Sequence, residues 1–269
     1  MPTPLSAPAP PGVRHPALRE LSYWLHLWRR TWRGTVVISV ANPLLFLTGI
    51  GVGLGQLVGD RADPALHGGS YLAFLTPGLL AAASMQNAFV DAAGPVHDSA
   101  RPGGHYRAAA ATPLRPADIL HGHLLYILVR LVVSAFLFTA VATAFGAVAP
   151  ARAPLVVPAA VLAGFAFAAP LAAWSVTLDR QAGLEALFRF VVMPLYMFSG
   201  AFFPLSQLPD AVEPLAYLSP LWHGVELCRS LALGTATAGG TTLHTGVLAA
   251  LTVAGVLLAR RRYERRLHT

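Results

Sequence analysis

The sequence contains no lysine, and all 19 of its basic residues are arginines. A phosphate-binding P-loop needs the lysine of GxxxxGK[ST], and a Schiff-base enzyme needs a lysine amine. We therefore expect that this chain is neither a P-loop ATPase nor a Schiff-base enzyme.

Cysteine and charged residues are also scarce. The single cysteine, Cys228, excludes an intrachain disulfide and a zinc site built from several thiolates. Only 12% of the residues are charged and 55% are hydrophobic, whereas soluble domains are about one quarter charged. A chain this apolar is expected to bury its surface in lipid as an all-α integral membrane protein.

Catalytic motifs are missing too. There is no HExxH and no GxSxG. The pair Ser199-Gly200 lacks the preceding glycine of a membrane serine protease, because Met197 takes that position. Four histidines flank one polar segment without the spacing of a metal site: His97, His105, His121 and His123. We expect no catalytic, cofactor or metal site on this chain.

Long uncharged runs are abundant. Six of them are predicted as transmembrane helices, since most reach the roughly 20 residues that cross a bilayer. They are residues 35–58, 70–94, 124–149, 153–178, 186–203 and 240–259, within a transmembrane domain at 34–259. Residues 204–234 are apolar but interrupted by prolines and charges, which favours re-entrant helices at the outer face before the last span.

The two ends of the chain differ from this domain. Residues 1–16 are proline-rich and predict a disordered tail without the features of a cleaved signal peptide, and residues 260–269 form a basic tail. Residues 17–33 predict an amphipathic helix in the membrane interface, or else a simple extension of the first span. The residues typical of an interfacial helix are Trp24, Trp28, Arg29, Arg30 and Trp32.

The distribution of arginine predicts the orientation. With the N-terminus in the cytoplasm, 14 arginines lie in cytoplasmic segments and only Arg61, Arg152 and Arg229 lie in outer ones. Cytoplasmic loops of membrane proteins carry such an excess of basic residues. Six spans with both termini in the cytoplasm fit this pattern, whereas another crossing through residues 212–234 would place the basic tail outside.

Three charged residues fall inside predicted spans: Asp91, Arg130 and Arg189. Ionisable groups within a membrane are functional candidates by default. All three lie near the inner surface, however, so we expect a structural ion pair of Asp91 with Arg130 or Arg189. The lack of a carboxylate near the middle of the membrane argues against an ion-coupled carrier.

The longest cytoplasmic loop, residues 95–118, separates the second and third spans. Gly103-Gly104 and Thr112-Pro113 bound a segment, residues 105–111, that predicts one or two helical turns. The third span then begins with an early proline and an early acidic residue, a common helix start. A short helix beneath the membrane is suited to a soluble partner, with Tyr106 as an aromatic contact and Arg107 as a charge for a carboxylate.

Three segments together carry a resemblance to a known family. They are ATPLRPADILHGHLL before the third span, YLAFLTPGLLAAASMQNAF in the second and FSGAFFPLSQLPDAVEPLAYLSPLWHGVELCRSLALG near the C-terminus. They resemble the type-two ABC exporter permeases, which include nodulation-factor and daunorubicin exporter permeases. The resemblance extends over nearly the whole chain. The loop reads RPGGHYRAAAA where many members carry an acidic stretch, and is closer to the nodulation-type branch.

The resemblance implies a multi-pass permease of the bacterial inner membrane, exporting an amphipathic, lipid-like or drug-like cargo. Two ATP-binding subunits would carry ATP and Mg, a second permease copy or a paralogue would pair with the chain, and membrane lipids would surround it; no nucleic acid is implied. Coupling to the ATPase would fall on Gly104, His105, Tyr106, Arg107, Thr112, Pro113 and Arg115. The translocation route or outer gate would include Phe198, Ser199, Gly200, Phe202 and Phe203.

Three other classes of function stay open at this point. A membrane enzyme or protease lacks a catalytic constellation. A channel or an ion-coupled carrier without an ATPase partner differs from an ABC permease because it works without ATP. A membrane anchor or regulatory subunit would not transport at all.

Overall fold

The computed structural model describes residues 16–49, 71–202, 205 and 217–267, without the side chains of Ile38 and Asn42. Within these ranges the chain is helical and contains no β-strand. The helices are α1 (Pro16–Thr48), α2 (Tyr71–Ala92), α3 (Gly94–Ala100), α4 (His105–Ala110), α5 (Pro116–Ala144), α6 (Ala153–Ser175), α7 (Ala182–Leu187), α8 (Met193–Met197), α9 (Pro220–Leu233) and α10 (Ala238–Leu267). A π-helical turn, Phe188–Val192, joins α7 to α8.

Four stretches of the described chain are long and apolar enough to cross a membrane: Tyr71–Ala100, Pro116–Ala144, Pro150–Ser175 and Ala238–Leu267. They correspond to the second, third, fourth and sixth predicted spans. The first predicted span runs past residue 49 and out of the described residues, and the fifth belongs to the shorter α7–α8 stretch. The count of six spans therefore stays a prediction.

The predicted re-entrant segment, residues 204–234, is described only in part. Residues 204 and 206–216 lie outside the described ranges, and the remainder includes α9, which packs on α2 and α6. Helix α9 ends at Gly234, which adopts a left-handed conformation (φ 73°). Whether this segment enters and leaves the membrane from one side stays a prediction.

Helix α6 lies at the centre and contacts α2, α5, α9 and α10. Small residues make this packing close. A Cβ atom on Gly164 would lie 2.9 Å from the Ser84 carbonyl oxygen of α2, and one on Gly255 of α10 would lie 2.5 Å from Pro170. Small residues let helix backbones approach each other where no water drives association. Gly164 and Gly255 thus permit the close contacts of α6 with α2 and α10.

Helix α1 continues without a break from Pro16 to Thr48. The predicted interfacial helix and the start of the first predicted span therefore form one helix, which is the alternative that the sequence left open. Trp24 is 5% exposed and packs against the protein, Trp28 is half-buried, and Trp32 is exposed. Arg29 and Arg30 are exposed as well. At Trp24 the tryptophan face of this helix covers protein rather than lipid.

Both ends of the described chain lie at the same end of the helix bundle. Near the start of α1, Glu20 contacts His105 of α4, and near the end of α10, Tyr263 contacts Tyr106 of α4. At the opposite end, Arg152 donates to the Ala232 carbonyl at 3.0 Å. We name these the inner and the outer end, following the orientation predicted from the arginines.

Candidate coupling site at the inner end

The polar loop folds as a pair of short helices because glycine permits a tight turn between them. A Cβ on Gly104 would lie 2.4 Å from the Asp98 carbonyl oxygen and 2.5 Å from that of Ser99, and Gly103 has φ 81°. After α4, the Thr112 hydroxyl donates to the Ala109 carbonyl at 2.6 Å. The short helix predicted within residues 105–111 is confirmed as His105–Ala110.

Helix α5 begins where the sequence predicts. Pro116 occupies its first turn, and the Asp118 carboxylate accepts a hydrogen bond from the Arg115 backbone N–H at 3.1 Å. A carboxylate in the first turn satisfies a free N–H group and interacts favourably with the helix dipole. The loop that carries α4 is therefore fixed at both ends.

Tyr106 is fully buried within the chain. Its hydroxyl donates to Nδ1 of His123 on α5 and accepts from the hydroxyl of Tyr263 on α10 at 3.3 Å. Burial raises the pKa of Tyr106 well above its usual value, so the hydroxyl stays protonated and able to donate. The prediction that Tyr106 is an aromatic contact for a soluble partner is wrong, because its ring points into the protein.

Glu20 connects α4 to α1. Its side chain is 1% exposed, and Oε1 accepts from the Trp24 indole N–H at 2.7 Å and lies 2.9 Å from Nε2 of His105. The Tyr23 ring stacks on the His105 ring with centroids 3.6 Å apart. A buried carboxylate is costly unless it is hydrogen-bonded, and these two donors meet that requirement.

Helix α1 also packs directly on α5. A Cβ on Gly122 would lie 2.4 Å from the Glu20 Cβ, and the Trp24 ring stacks on His123 at 4.1 Å. Four helices therefore meet around a set of buried or half-buried polar and aromatic side chains. We call Glu20, Trp24, His105, Tyr106, His123 and Tyr263 the inner cluster.

The exposed part of the loop lies in the turns on either side of α4. Arg101, Pro102 and Gly103 are exposed before the helix. Thr112, Pro113 and Arg115 are exposed after it, whereas Gly104, His105 and Arg107 are half-buried. The surface that α4 offers a soluble partner is therefore made of its two flanking turns, while its aromatic face is turned inward.

The predicted ion pair inside the membrane is present, with Arg130 as the partner. Its Nη1 donates to Oδ1 of Asp91 at 2.6 Å, and the Asp91 side chain is 2% exposed. Arg189 lies exposed on the π-helical turn. The pair connects α2 to α5 close to the inner end.

The residues predicted for an outer gate form a turn at the outer end. Phe198 is 45% exposed, Ser199 is buried and donates to the Tyr196 carbonyl at 3.1 Å, and Gly200 has φ 74°. The carbonyl of Phe202 accepts from the Tyr71 hydroxyl at 3.0 Å, which ties the turn to α2. Phe203 lies outside the described residues.

Arg229, which sequence reasoning counted only as an outer charge, organises this turn. Its guanidinium donates to the Gly200 carbonyl at 2.7 Å, to Glu226 at 2.6 Å and to the Phe74 carbonyl at 3.3 Å. The arginine is 5% exposed. An arginine three residues from a glutamate in an apolar helix is the sequence signal that points to such a buried role.

Sequence reasoning also missed most of the inner cluster. Glu20 and Trp24 are four residues apart and therefore share a face of α1. That spacing was the available signal. No such signal points to His123 or Tyr263, because their shared partner Tyr106 lies on another helix.

The comparison with known proteins agrees with this architecture. The family model for the ABC-2 type transporter matches residues 22–233. Nodulation protein J of Sinorhizobium fredii is 31% identical over 254 residues, which cover 91% of this chain and 94% of that protein. Nodulation protein J of Rhizobium leguminosarum bv. viciae is 30% identical over 254 residues, with 91% and 95% covered. The chain belongs to the ABC-2 type transporter family.

Proposed function

We propose that this chain is the transmembrane permease subunit of an ATP-driven exporter, moving an amphipathic, lipid-like or drug-like cargo out of the cytoplasm or the inner leaflet. Family membership supports transport, and the absence of lysine excludes a P-loop on the chain itself. ATP and Mg therefore bind to a separate ATP-binding subunit, expected in two copies.

The observation that carries this proposal is the connection of α4 to three membrane helices through the inner cluster. Tyr106 reaches α5 and α10, and His105 reaches Glu20 of α1. Buried and mutually satisfied polar groups are costly to separate. A displacement of α4 by a soluble subunit is thus passed to α1, α5 and α10 together.

The ATP-binding subunit would contact the two turns that flank α4. Arg101 and Arg115 are exposed there, on either side of the helix, and Arg107 is half-buried between them. Such guanidinium groups pair well with carboxylates on a partner surface. The buried face of α4 fixes the helix against the bundle. A force that the partner applies to these turns therefore moves α4 together with the helices it contacts.

A second permease copy or a paralogue would complete the transport route. Leu45 of α1 is 70% exposed and Phe190 beside α8 is 78% exposed. Apolar faces of this kind need lipid or another helix against them. A route between two copies would end near the outer turn with Phe198, Ser199 and Gly200.

The alternative is an ion-coupled carrier or channel without an ATPase. Such a carrier relies on an ionisable group free to load and release an ion within the membrane. Among the predicted spans, in the part of the chain that the structure describes, Asp91 is the buried carboxylate, and it is paired with Arg130 at 2.6 Å. That pairing favours the ATP-driven proposal.

Reconstitution tests the proposal. The chain is placed in proteoliposomes with a co-expressed P-loop ATP-binding subunit from the same organism, and movement of a fluorescent amphiphile is followed with and without MgATP. We expect transport only with both subunits and MgATP, and none when the P-loop lysine of the partner is replaced. Transport by the chain alone, driven by an ion gradient, would establish the carrier instead.

A further inference from the structure

An apolar cavity of about 250 Å³ lies between α2, α6 and the α7–α8 stretch. Its walls include Phe89, Phe167, Leu171, Trp174, Leu187 and Val192. An apolar cavity of roughly 150 Å³ in a protein core stays dry and takes up benzene. This cavity is larger, apolar and partly open at the surface of the bundle, and is therefore suited to a segment of a hydrocarbon chain.

A second pocket, of about 470 Å³, lies at the inner ends of α6 and α10 and is basic. Trp174, Thr177, Arg262, Arg265 and Arg266 line it. Arg262 donates to the Ala173 carbonyl at 3.3 Å, and Arg266 pairs with Asp179 at 2.5 Å. One aspartate beside three arginines leaves the pocket positive.

Trp174 borders both pockets and places them next to each other. Phe167, Leu171 and Trp174 recur at helical spacing, so the apolar cavity follows one face of α6 for roughly 10 Å from the basic pocket. A tryptophan at the junction of an apolar and a charged region is typical of the membrane interface. The two pockets together match a molecule with an anionic head and an apolar chain.

We propose that an anionic phospholipid of the inner leaflet binds here, with its phosphate at Arg262 and Arg265 and one acyl chain in the cavity beside Trp174. Guanidinium groups bind phosphate through paired N–H donors. The inner leaflet is anionic, and basic pockets between membrane helices on that side suit such headgroups. The assignment to this leaflet follows the predicted orientation.

Native mass spectrometry of the purified full chain tests the headgroup contact. The protein is incubated with phosphatidylglycerol or with phosphatidylcholine of the same acyl chains. We expect phosphatidylglycerol to bind preferentially, and Arg265→Gln to weaken its binding about fivefold, as expected for one arginine at an anionic surface. Arg261→Gln is the matched control, since Arg261 is exposed on the same helix but does not line the pocket.

Equal binding of the two lipids, or equal loss in Arg265→Gln and Arg261→Gln, would overturn the proposal. Glycerol phosphate, the headgroup without acyl chains, separates a lipid site from a site for a soluble phosphate compound. We expect it not to displace phosphatidylglycerol, and displacement at equal concentration contradicts the role of the cavity.

The cavity is tested on its own with Val192→Phe, which fills part of it. We expect this substitution to weaken phosphatidylglycerol binding, while Met193→Phe, at an exposed neighbour outside the lining, leaves it unchanged. Thermal unfolding checks that both variants fold. A folded Val192→Phe variant that binds phosphatidylglycerol like the wild type would show that no acyl chain enters the cavity.

Discussion

At each end of the helix bundle, a few buried polar side chains connect helices that are distant in sequence. At the inner end Glu20 and Tyr106 join helices α1, α4, α5 and α10, and at the outer end Arg229 joins α9, α2 and the Gly200 turn. A buried donor or acceptor that loses its partner costs about 1–3 kcal/mol. Single substitutions at these positions are therefore expected to have measurable effects.

Tyr106→Phe removes one hydroxyl, so Nδ1 of His123 and the hydroxyl of Tyr263 lose the hydrogen bonds that Tyr106 provides. We expect a loss of about 1–3 kcal/mol of stability, seen as a lower midpoint of thermal unfolding in detergent. The control is Tyr23→Phe, which keeps the ring that stacks on His105. Equal midpoints for the two variants would mean that the buried hydroxyl contributes nothing beyond its ring.

Arg229→Gln is expected to loosen the outer turn. The substitution removes the donors to two backbone carbonyls and leaves Glu226 without its ion pair, at an expected cost of about 3 kcal/mol. Proteolysis or cysteine labelling near residue 200 reports the loosening. Arg260→Gln, at an exposed arginine of α10, serves as the control, and similar labelling in both variants would contradict the role of Arg229.

Helix α4 is stable only because it packs against neighbouring helices. It spans only His105–Ala110, and a helix this short is not stable in isolation. Its stability comes from Tyr106 and Ala109, which are buried against the bundle. The element is therefore rigid where it meets the membrane helices and open to a partner at its two turns.

Glu20→Ala tests whether α4 passes its motion to α1. The variant loses the contacts to Trp24 and His105, so we expect the complex to keep hydrolysing ATP while transport per ATP falls several-fold. Glu264→Ala is the control, because Glu264 forms an exposed pair with Arg260 that is worth little. An unchanged ratio of transport to hydrolysis in Glu20→Ala would show that coupling does not use this contact.

The elements that the sequence predicted are those with local signals. The start of α5 follows from Pro116 and Asp118, and the short α4 from the glycines before it. The scarcity of charge predicts an ion pair of Asp91 but leaves Arg130 and Arg189 open as its partner, and the structure selects Arg130. The burial of Tyr106 and the role of Glu20 depend on contacts between residues about 85 to 157 apart in sequence. No local pattern encodes such pairings, so the sequence predicts the short helix of this loop but not the inward direction of its aromatic face.

The start of α1 and the end of α10 lie at the same end of the helix bundle, because both contact α4 there. An even number of membrane crossings brings both ends to the same side. This agrees with the orientation that the arginine distribution predicts, in which both termini lie in the cytoplasm. Topology reporters test this. We expect fusions at Gly103 and Thr269 to report inside and fusions at Arg152 and Gly239 to report outside, and a Thr269 fusion outside would exclude six spans.

The proposal that an ATP-binding subunit drives the permease through the turns beside α4 is tested most directly by crosslinking in the assembled complex. A photoreactive amino acid is placed at Thr112, which is exposed beside α4, or at Gly239, at the start of α10 near the outer end. We predict that Thr112 crosslinks to the P-loop subunit, with a yield that changes on addition of ATP, and that Gly239 does not. Equal yields at the two positions, or no crosslink at Thr112 in a complex that transports, would contradict the account.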